Sequence, residues 1–128
     1  MDVTLDTHTF IWYIVRSDNY KLSHTALASI KNAEKCGTIF IPIIVMMELL
    51  HLIERKKVDL SFDEVLSTIE ASENYIILPF NMDVLKIVGD IKGLECHDRL
   101  IVAAAKLTGA PLVSKDKEIR KLGVFVIW

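Results

Sequence analysis

Apolar residues along the chain alternate between short continuous runs and patterns of helical spacing. The short runs are typical of buried strands and occupy residues 3–5, 38–41, 75–78, 112–114 and 124–127. Helical spacing predicts helices at residues 9–15, 23–35, 42–55, 61–72, 81–92, 98–107 and 117–122. Strands that alternate with helices predict βαβ units and a mainly parallel sheet. We therefore expect a single three-layer α/β/α domain over residues 1–128, with a central sheet of about four or five strands.

Capping residues mark several of these helix boundaries. Ser23, Ser61 and Asn81 have side chains that accept backbone N–H bonds at helix starts. Gly37 and Gly93 follow two of the predicted helices and favour their termination.

Composition and charge narrow the class of protein. The 128 residues are 52% hydrophobic and carry a formal net charge of −2, and the mean hydropathy is +0.36. A parallel sheet buried on both faces accounts for this apolar content, and an oligomeric interface would add to it. The charge balance excludes a protein that binds nucleic acid by neutralising many phosphates, because such proteins are strongly basic. A chain of this charge that acts on phosphate esters needs a metal ion or a local basic patch.

No segment predicts membrane insertion or secretion. The longest apolar run, residues 39–47, contains Pro42 and ends at Glu48, well short of the roughly 20 residues of a membrane span. The first residues lack the basic start and apolar stretch of a signal peptide. Cys36 and Cys96 show no metal-binding spacing, so we expect a cytoplasmic chain with two free thiols, a disulfide being the alternative.

Four acidic residues lie where ligands bind in open α/β sheets. Asp6 follows the first predicted strand, Asp116 follows a later one, and Asp98 begins a predicted helix. Each of these three also fits an ordinary role in a turn or as a helix N-cap. Glu48 lies in an apolar helix, where a buried carboxylate requires a partner. That partner is either Arg99 or a lysine in a salt bridge, or a metal ion shared with the other acids.

Taken together, the four acids predict a metal site. Carboxylates held close together repel one another, and a hard cation relieves the repulsion. Ligation by carboxylate oxygens alone suits Mg²⁺ or Mn²⁺. Divalent ions held in this way activate water and stabilise charge during phosphodiester cleavage.

The acids lie in motifs that resemble those of a known family. The opening Leu-Asp-Thr-His-Thr-Phe-Ile-Trp is similar to the first motif of PIN-domain proteins, especially the VapC-type toxins of bacterial and archaeal toxin–antitoxin systems. The resemblance continues with Met-Met-Glu-Leu-Leu around Glu48, with His-Asp-Arg-Leu-Ile-Val-Ala-Ala-Ala from residue 97, and with Leu-Val-Ser-Lys-Asp ending at Asp116. The four motifs in this order cover essentially the whole chain.

This resemblance implies a Mg²⁺- or Mn²⁺-dependent endoribonuclease. It implies that Asp6, Glu48, Asp98 and Asp116 are the catalytic and metal-binding residues, with Asp6 and Asp98 as the direct ligands. Glu48 and Asp116 would complete the metal site directly or through water.

The resemblance also implies substrate contacts and partners. Thr7 and Ser114 match positions of hydroxyls beside the metal or the phosphate, and Arg99 would contact phosphate or pair with the acids. Lys115 lies next to Asp116, where it could hold RNA. The implied partners are an RNA substrate, a cognate antitoxin protein and a second copy of the chain in a homodimer.

One motif departs from that of many relatives. Where they carry Asp-Pro-x-Asp-Arg, this chain has Glu95-Cys96-His97-Asp98-Arg99, so Glu95 is either an auxiliary acid or a solvated side chain. Three aromatic residues near the first acid (Phe10, Trp12 and Tyr13) are expected in core or dimer contacts more often than in base stacking.

Two other functions remain open at this stage. A PIN-like domain without catalytic activity could bind RNA or protein, although an intact set of four acids disfavours it. A receiver-type signalling domain is disfavoured because Asp6 has no acidic neighbour and Pro79 follows the middle strand.

Overall fold

In the computed structural model, which describes residues 1–128, the strands form one parallel sheet. They are β1 (Val3–Leu5), β2 (Ile39–Pro42), β3 (Tyr75–Leu78), β4 (Leu112–Val113) and β5 (Val126–Ile127). The helices are α1 (Thr7–Ile14), α2 (His24–Cys36), α3 (Ile43–Glu54), α4 (Phe62–Ala71), α5 (Met82–Asp90), α6 (Cys96–Thr108) and α7 (Lys117–Arg120). The alternation of strands and helices predicted from the sequence, and with it the α/β fold class, is confirmed.

The order of the strands places β1 at the centre of the sheet. The order is β3-β2-β1-β4-β5, and every neighbouring pair is parallel. Thr4 of β1 pairs with Phe40 on one side and with Leu112 on the other. β2 and β3 lie on one side of β1, and β4 and β5 lie on the other. The strand order therefore reverses between β1 and β4, and a crevice opens at the carboxyl ends of these two strands. Ligands bind in such crevices in open α/β sheets.

The hydrophobic core lies on both faces of this sheet. All three residues of β1 are fully buried, and a cluster of 24 buried apolar residues connects the strands with the helices. Residues 103–105, a run of three alanines in α6, are at most 3% exposed. Small side chains let this helix lie close to its neighbours, which holds the start of α6 near the sheet edge.

Three helix starts have the caps that the sequence predicts. Ser23 accepts a hydrogen bond from the backbone N–H of Ala26, Ser61 accepts one from Glu64, and Asn81 accepts one from Val84. Gly37 is the C-cap of α2, as expected. By contrast, α5 ends at Asp90, so Gly93 lies beyond the helix rather than at its end. The sequence pattern also missed a 3-10 helix at Arg16–Lys21.

The helix that carries Asp98 begins earlier than its apolar pattern suggests. Glu95 is the N-cap of α6, and its Oε1 accepts a hydrogen bond from the backbone N–H of Asp98 at 2.9 Å. The interpretation of Asp98 as an N-cap is therefore wrong. Because Glu95 caps the helix, the Asp98 side chain is free to face the cleft described below.

Two further expectations concern the thiols and the membrane. Cys36 and Cys96 are both free and exposed, which agrees with the prediction of unpaired cysteines. None of the helices combines the length and the apolar character that a membrane crossing requires.

Candidate active site

All four predicted acids line one cleft at the carboxyl edge of the sheet. The cleft has a volume of about 420 Å³. Asp6 reaches it from the turn between β1 and α1, Glu48 from the middle of α3, Asp98 from the first turn of α6, and Asp116 from the turn after β4. We call this space the acidic cleft, and the residues that line it are Asp6, Thr7, His8, Thr9, Trp12, Glu48, Asp98, Ile101, Lys115 and Asp116.

Local hydrogen bonds fix the backbone beneath Asp6 and Asp116. Asp6 is the N-cap of α1, where its Oδ1 accepts a hydrogen bond from the backbone N–H of Thr9 at 3.0 Å. Asp116 is the N-cap of α7 and accepts one from Glu118 at 2.8 Å. Each carboxylate therefore caps a helix and lines the cleft as well. A role as N-cap and a role as ligand are compatible for these residues, because the capping hydrogen bond involves one carboxylate oxygen and leaves the other available.

Glu48 has a neutral partner in place of a salt bridge. The Thr7 hydroxyl donates a hydrogen bond of 2.7 Å to Glu48 Oε1. Thr7 is 5% exposed and Glu48 is partly exposed, so this bond is partly shielded from water. The chain's ion pairs join Lys21 to Asp18, His97 to Glu95 and Lys121 to Glu118, and none involves an acid of the cleft. The salt bridge considered for Glu48 is therefore not formed.

The surroundings of Asp98 disfavour its ionisation. Burial raises its pKa above the usual carboxyl value, and the negative charge of nearby Glu95 raises it further. The charges of Asp116, Glu48 and Asp6 act in the same direction. The negative charges of the neighbouring carboxylates therefore repel that of Asp98, as expected for four acids that converge on one site.

Arg99 and Ser114 do not line the cleft, although both were predicted as substrate-binding residues. The Arg99 Nε–H donates to the carbonyl oxygen of Leu94 at 2.7 Å. Ser114 is fully buried, and its Oγ accepts a hydrogen bond from the backbone N–H of Asp116 at 3.1 Å. In this structure Arg99 supports the turn before α6, and Ser114 supports the turn that carries Asp116. Thr7 and Lys115 do line the cleft, as expected.

The residues of the cleft fit a hard cation in their chemistry. They offer four carboxylates against one lysine, and Thr9 adds a hydroxyl that is buried without a hydrogen-bond partner. As the side chains stand, no three acidic, histidine or cysteine side chains are close enough together to hold a metal ion. Coordination by three of the acids would therefore require some of them to turn further into the cleft.

Sequence reasoning gave no site role to four lining residues: His8, Thr9, Trp12 and Ile101. His8 and Trp12 are one helical turn apart on α1, and their ring centroids are 5.6 Å apart. The available signal was this four-residue spacing directly after Asp6, which puts both side chains on one side of the helix. By contrast, the neighbouring Phe10 is fully buried in the core.

The parallel sheet with acids gathered at its carboxyl edge defines an α/β protein with an acidic crevice at the edge where open α/β sheets bind ligands. The family model of the PIN domain matches residues 3–124. The chain therefore belongs to the PIN-domain family. No curated protein sequence matches it.

Several solved structures share this fold. One is a structure of VapBC2 from Rickettsia felis bound to a DNA fragment from its promoter, with a TM-score of 0.75 and 19% identity over 98% of this chain and 97% of that one. FitAcB from Neisseria gonorrhoeae gives a TM-score of 0.68 and 19% identity over 97% and 95% of the two chains. DNA-bound VapBC from Salmonella typhimurium gives a TM-score of 0.65 and 19% identity over 98% of this chain and 96% of that one. At these identities the likeness concerns the fold.

Proposed function

We propose that this protein is a Mg²⁺- or Mn²⁺-dependent endoribonuclease. The observation that carries the proposal is the convergence of Asp6, Glu48, Asp98 and Asp116 on one cleft without a basic ion-pair partner. Carboxylates that repel one another, as the raised pKa of Asp98 indicates, are stabilised by a bound cation. The orphaned Thr9 hydroxyl in the same cleft favours a polar occupant.

In this proposal Asp6 and Asp98 bind the cation directly, and Glu48 and Asp116 complete the site directly or through water. The cation supplies the positive charge that the cleft lacks, and it stabilises charge on the phosphate during hydrolysis. The other residues hold these four in place: Thr7 orients Glu48, and Ser114 supports the backbone of Asp116. Lys115, the one lysine of the cleft, binds a phosphate of the substrate.

Solved structures of similar fold and chain length support a more specific role for this protein, that of a toxin. The structures from Rickettsia felis and Salmonella typhimurium are described as VapBC, and a further neighbour is described as a toxin–antitoxin complex from Klebsiella pneumoniae, with a TM-score of 0.61 and 16% identity over 91% of this chain and 88% of that one. Each of these chains is covered almost completely by this one. We propose that this protein is the VapC-like toxin of such a pair, with a cognate antitoxin as partner.

We also propose that the protein forms a homodimer in the cytoplasm. Of its exposed large apolar residues, Ile76, Phe80, Met82 and Leu85 fall within ten consecutive positions. This segment includes β3, which is an edge strand of the sheet. An exposed apolar stretch on a sheet edge is typical of an interface.

The deciding experiment measures RNA cleavage by purified wild type and by Asp98→Asn, each with Mg²⁺, with Mn²⁺ and with EDTA. We expect cleavage by the wild type with either ion, and none with EDTA or with the variant. Equal activity of the two proteins would indicate a contaminating nuclease and would contradict the assignment. If a well-folded wild type binds RNA and cleaves none, the protein is a PIN-like binding module. Growth arrest on expression, relieved by Asp98→Asn, tests the toxin role separately.

A further inference from the structure

A second cavity adjoins the acidic cleft and has a different set of side chains. Its volume is about 530 Å³. The chain contains four histidines, and three of them line this cavity, each from a different helix. We call it the histidine pocket, and its lining residues are Thr7, His8, Ile44, Met47, Glu48, His51, Leu52 and His97. Thr7, His8 and Glu48 line the acidic cleft as well, so the two spaces meet at these residues.

The histidine pocket differs from the acidic cleft in charge and in polarity. Glu48 is the one acid among its lining residues, and Glu95 lies just outside them, 3.7 Å from His97. An imidazole ring has at least one N–H donor in either protonation state, so the three rings can donate hydrogen bonds to an anion. The rest of the lining includes three apolar side chains, those of Ile44, Met47 and Leu52. Donors beside an apolar wall suit a nucleotide, which combines a phosphate with the flat faces of a base.

One face of α3 leads from the acidic cleft through this pocket to an arginine. Glu48, His51 and Arg55 follow one another at spacings of three and four residues, which places them along one side of the helix. Arg55 is the C-cap of α3, and its Nη1 lies 3.4 Å from His51 Nε2. Because an arginine can only donate, Nε2 of the neutral imidazole is the acceptor. The ring proton of His51 is then on Nδ1, where it is available to a ligand.

Arg55 is a free cation at the far end of this face. Its side chain is exposed, and none of the chain's ion pairs includes it. The rise of an α-helix separates Glu48 from Arg55 by about 10 Å along the axis, so a phosphate at Arg55 is not the one that reacts among the acids. A cation at this position also favours the C-terminal end of the helix dipole, and the experiments below separate that role from binding.

We propose that the histidine pocket binds the nucleotide next to the scissile phosphate, and that Arg55 and the Nδ1–H of His51 hold the phosphate on the far side of that nucleotide. This inference rests on the ribonuclease function proposed above. Lys115 lines the acidic cleft and not the histidine pocket. The strand is therefore held at two points, by Lys115 in the cleft and by Arg55 beyond the pocket.

The first experiment measures binding of a short oligoadenylate at several salt concentrations. The protein is Asp98→Asn in Mg²⁺, which keeps the strand intact. Adding Arg55→Gln should weaken binding about fivefold and should reduce the slope of log Kd against log salt concentration by about 0.7, the contribution of one phosphate contact in such a probe. Arg16→Gln is the matched control, because Arg16 is an exposed arginine whose charge acts on Tyr13, away from both spaces. It should leave affinity and slope unchanged.

A second experiment locates the phosphate that Arg55 holds. Oligoadenylates that carry one uncharged methylphosphonate linkage, moved one position at a time, are compared on the same two proteins. We expect one position to weaken binding while Arg55 is present and to have no further effect in Arg55→Gln, because the two changes remove the same contact. A linkage effect that is identical in both proteins would contradict the assignment.

Cleavage by otherwise wild-type protein gives an independent readout. Arg55→Gln and His51→Phe should raise KM for the oligoadenylate and leave kcat unchanged, because the contact is the same in the ground state and in the transition state. Neither should change cleavage of the dinucleotide ApA, whose single phosphate is the one that reacts. Thermal melting tests the role at the helix end: if Arg55 serves only there, its loss lowers Tm and leaves the salt slope unchanged.

The outcomes separate the two proposals. If the protein cleaves RNA while Arg55→Gln and His51→Phe leave KM and the salt slope unchanged, the pocket inference is overturned and the ribonuclease stands. An equal loss of slope in Arg16→Gln would show a general effect of charge and would also overturn the inference. If no RNA is cleaved under any condition, the ribonuclease proposal fails, whatever these variants bind.

Discussion

The Thr7 hydroxyl donates a 2.7 Å hydrogen bond to Glu48 Oε1 and so ties the first turn of α1 to the middle of α3. The two residues are 41 positions apart in the chain. Thr7 directly follows Asp6, so this one bond links two of the four acids through adjacent backbone. A hydroxyl suits this task because, unlike a lysine or arginine, it orients a carboxylate without neutralising it.

Removal of this hydroxyl should lower activity with little effect on the fold. Thr7→Val keeps the shape of the buried side chain and leaves Glu48 without its donor. We expect kcat/KM for RNA cleavage to fall about tenfold or more, since a hydrogen bond to a charged group contributes roughly 1.5–3 kcal/mol. Thr7→Ser, which retains the hydroxyl, should stay close to wild type. In a Glu48→Gln background Thr7→Val should cause little further loss, and full additivity of the two losses would contradict the coupling.

Charge repulsion at Asp98 should make the metal-free protein less stable at neutral pH. The pKa of Asp98 is raised in the folded state, mainly by burial and then by Glu95, so the folded protein holds this proton more tightly than the unfolded chain does. The stability that this group contributes is present below the ordinary carboxyl pKa of about 3.9 and is lost as the pH rises through the folded-state value. We therefore expect Asp98→Asn, measured in EDTA, to melt at a higher temperature than wild type at pH 7.

The comparison across pH tests the cause of this difference. The gap in Tm between Asp98→Asn and wild type should shrink as the pH is lowered towards 4, because the wild-type carboxyl then becomes protonated as well. Glu118→Gln, a substitution of an exposed acid outside the cleft, is the control. A gap that stays constant across the pH range would mean that the substitution acts through packing.

Divalent ions should stabilise the folded protein through the acidic cleft. A ligand present at a hundred times its dissociation constant stabilises the native state by about 2.7 kcal/mol, so saturating Mg²⁺ or Mn²⁺ should raise the Tm of wild type by several degrees. Asp6→Asn and Asp98→Asn should each reduce this rise strongly. An equal ionic strength of NaCl serves as control. The same shift in all three proteins would place the ion elsewhere.

A pair of tyrosines held by one carboxylate should contribute to stability away from the cleft. Tyr13 of α1 and Tyr75 of β3 both donate hydrogen bonds of 2.8 Å to Glu34 Oε2 of α2, and burial followed by this bond raises the pKa of both hydroxyls. Each bond should contribute about 1 kcal/mol, so Glu34→Ala, which removes the acceptor, should lower the free energy of unfolding in urea by about 1–2 kcal/mol.

The tyrosine pair also provides an internal check. Tyr13→Phe and Tyr75→Phe share the acceptor oxygen of Glu34, so their effects on unfolding should not be additive. RNA cleavage should remain close to wild type in both, because neither tyrosine lines the acidic cleft. Strong loss of activity in a stable Tyr13→Phe variant would show that the pair influences α1 and its acid.

The exposed apolar segment of residues 76–85 should carry the homodimer. Leu85→Glu and Ile76→Glu place charges at side chains that are 46% and 45% exposed, and each should convert a dimer to a monomer in sedimentation experiments. Phe125→Glu alters an equally apolar and more exposed side chain before the strand at the opposite sheet edge and should leave the dimer intact. Dissociation by Phe125→Glu alone would assign the interface to that other edge.

The strands and most helix caps follow from the sequence because they depend on local patterns. The start of α6 does not, because Glu95 and Asp98 are three residues apart and either could cap the helix. The structure gives the cap to Glu95, and this frees Asp98 for the cleft. Local sequence preferences do not determine which of the two acids is the N-cap, because that depends on the tertiary surroundings of each side chain.

The site residues likewise fall into those that the sequence predicts correctly and those whose position depends on packing. Order and spacing predicted that the four acids converge, since the carboxyl ends of parallel strands meet at one edge. Arg99 follows Asp98 directly, yet neighbouring residues on a helix point about 100° apart, and its side chain turns to Leu94 instead. Trp12 and Tyr13 diverge for the same reason. Which of two adjacent helical residues faces the cleft depends on how the helix packs, and the packing of α1 is known only from the structure.

The central position of β1 has a consequence for synthesis of the chain. β1 pairs with β4, which is completed more than a hundred residues later. Asp116 is synthesised after the other three acids, so a nascent polypeptide that stops short of it lacks one of the four acids. The acidic cleft is therefore complete only after β4 and the turn that follows it have been made, and any shorter translation product carries at most three of the four acids.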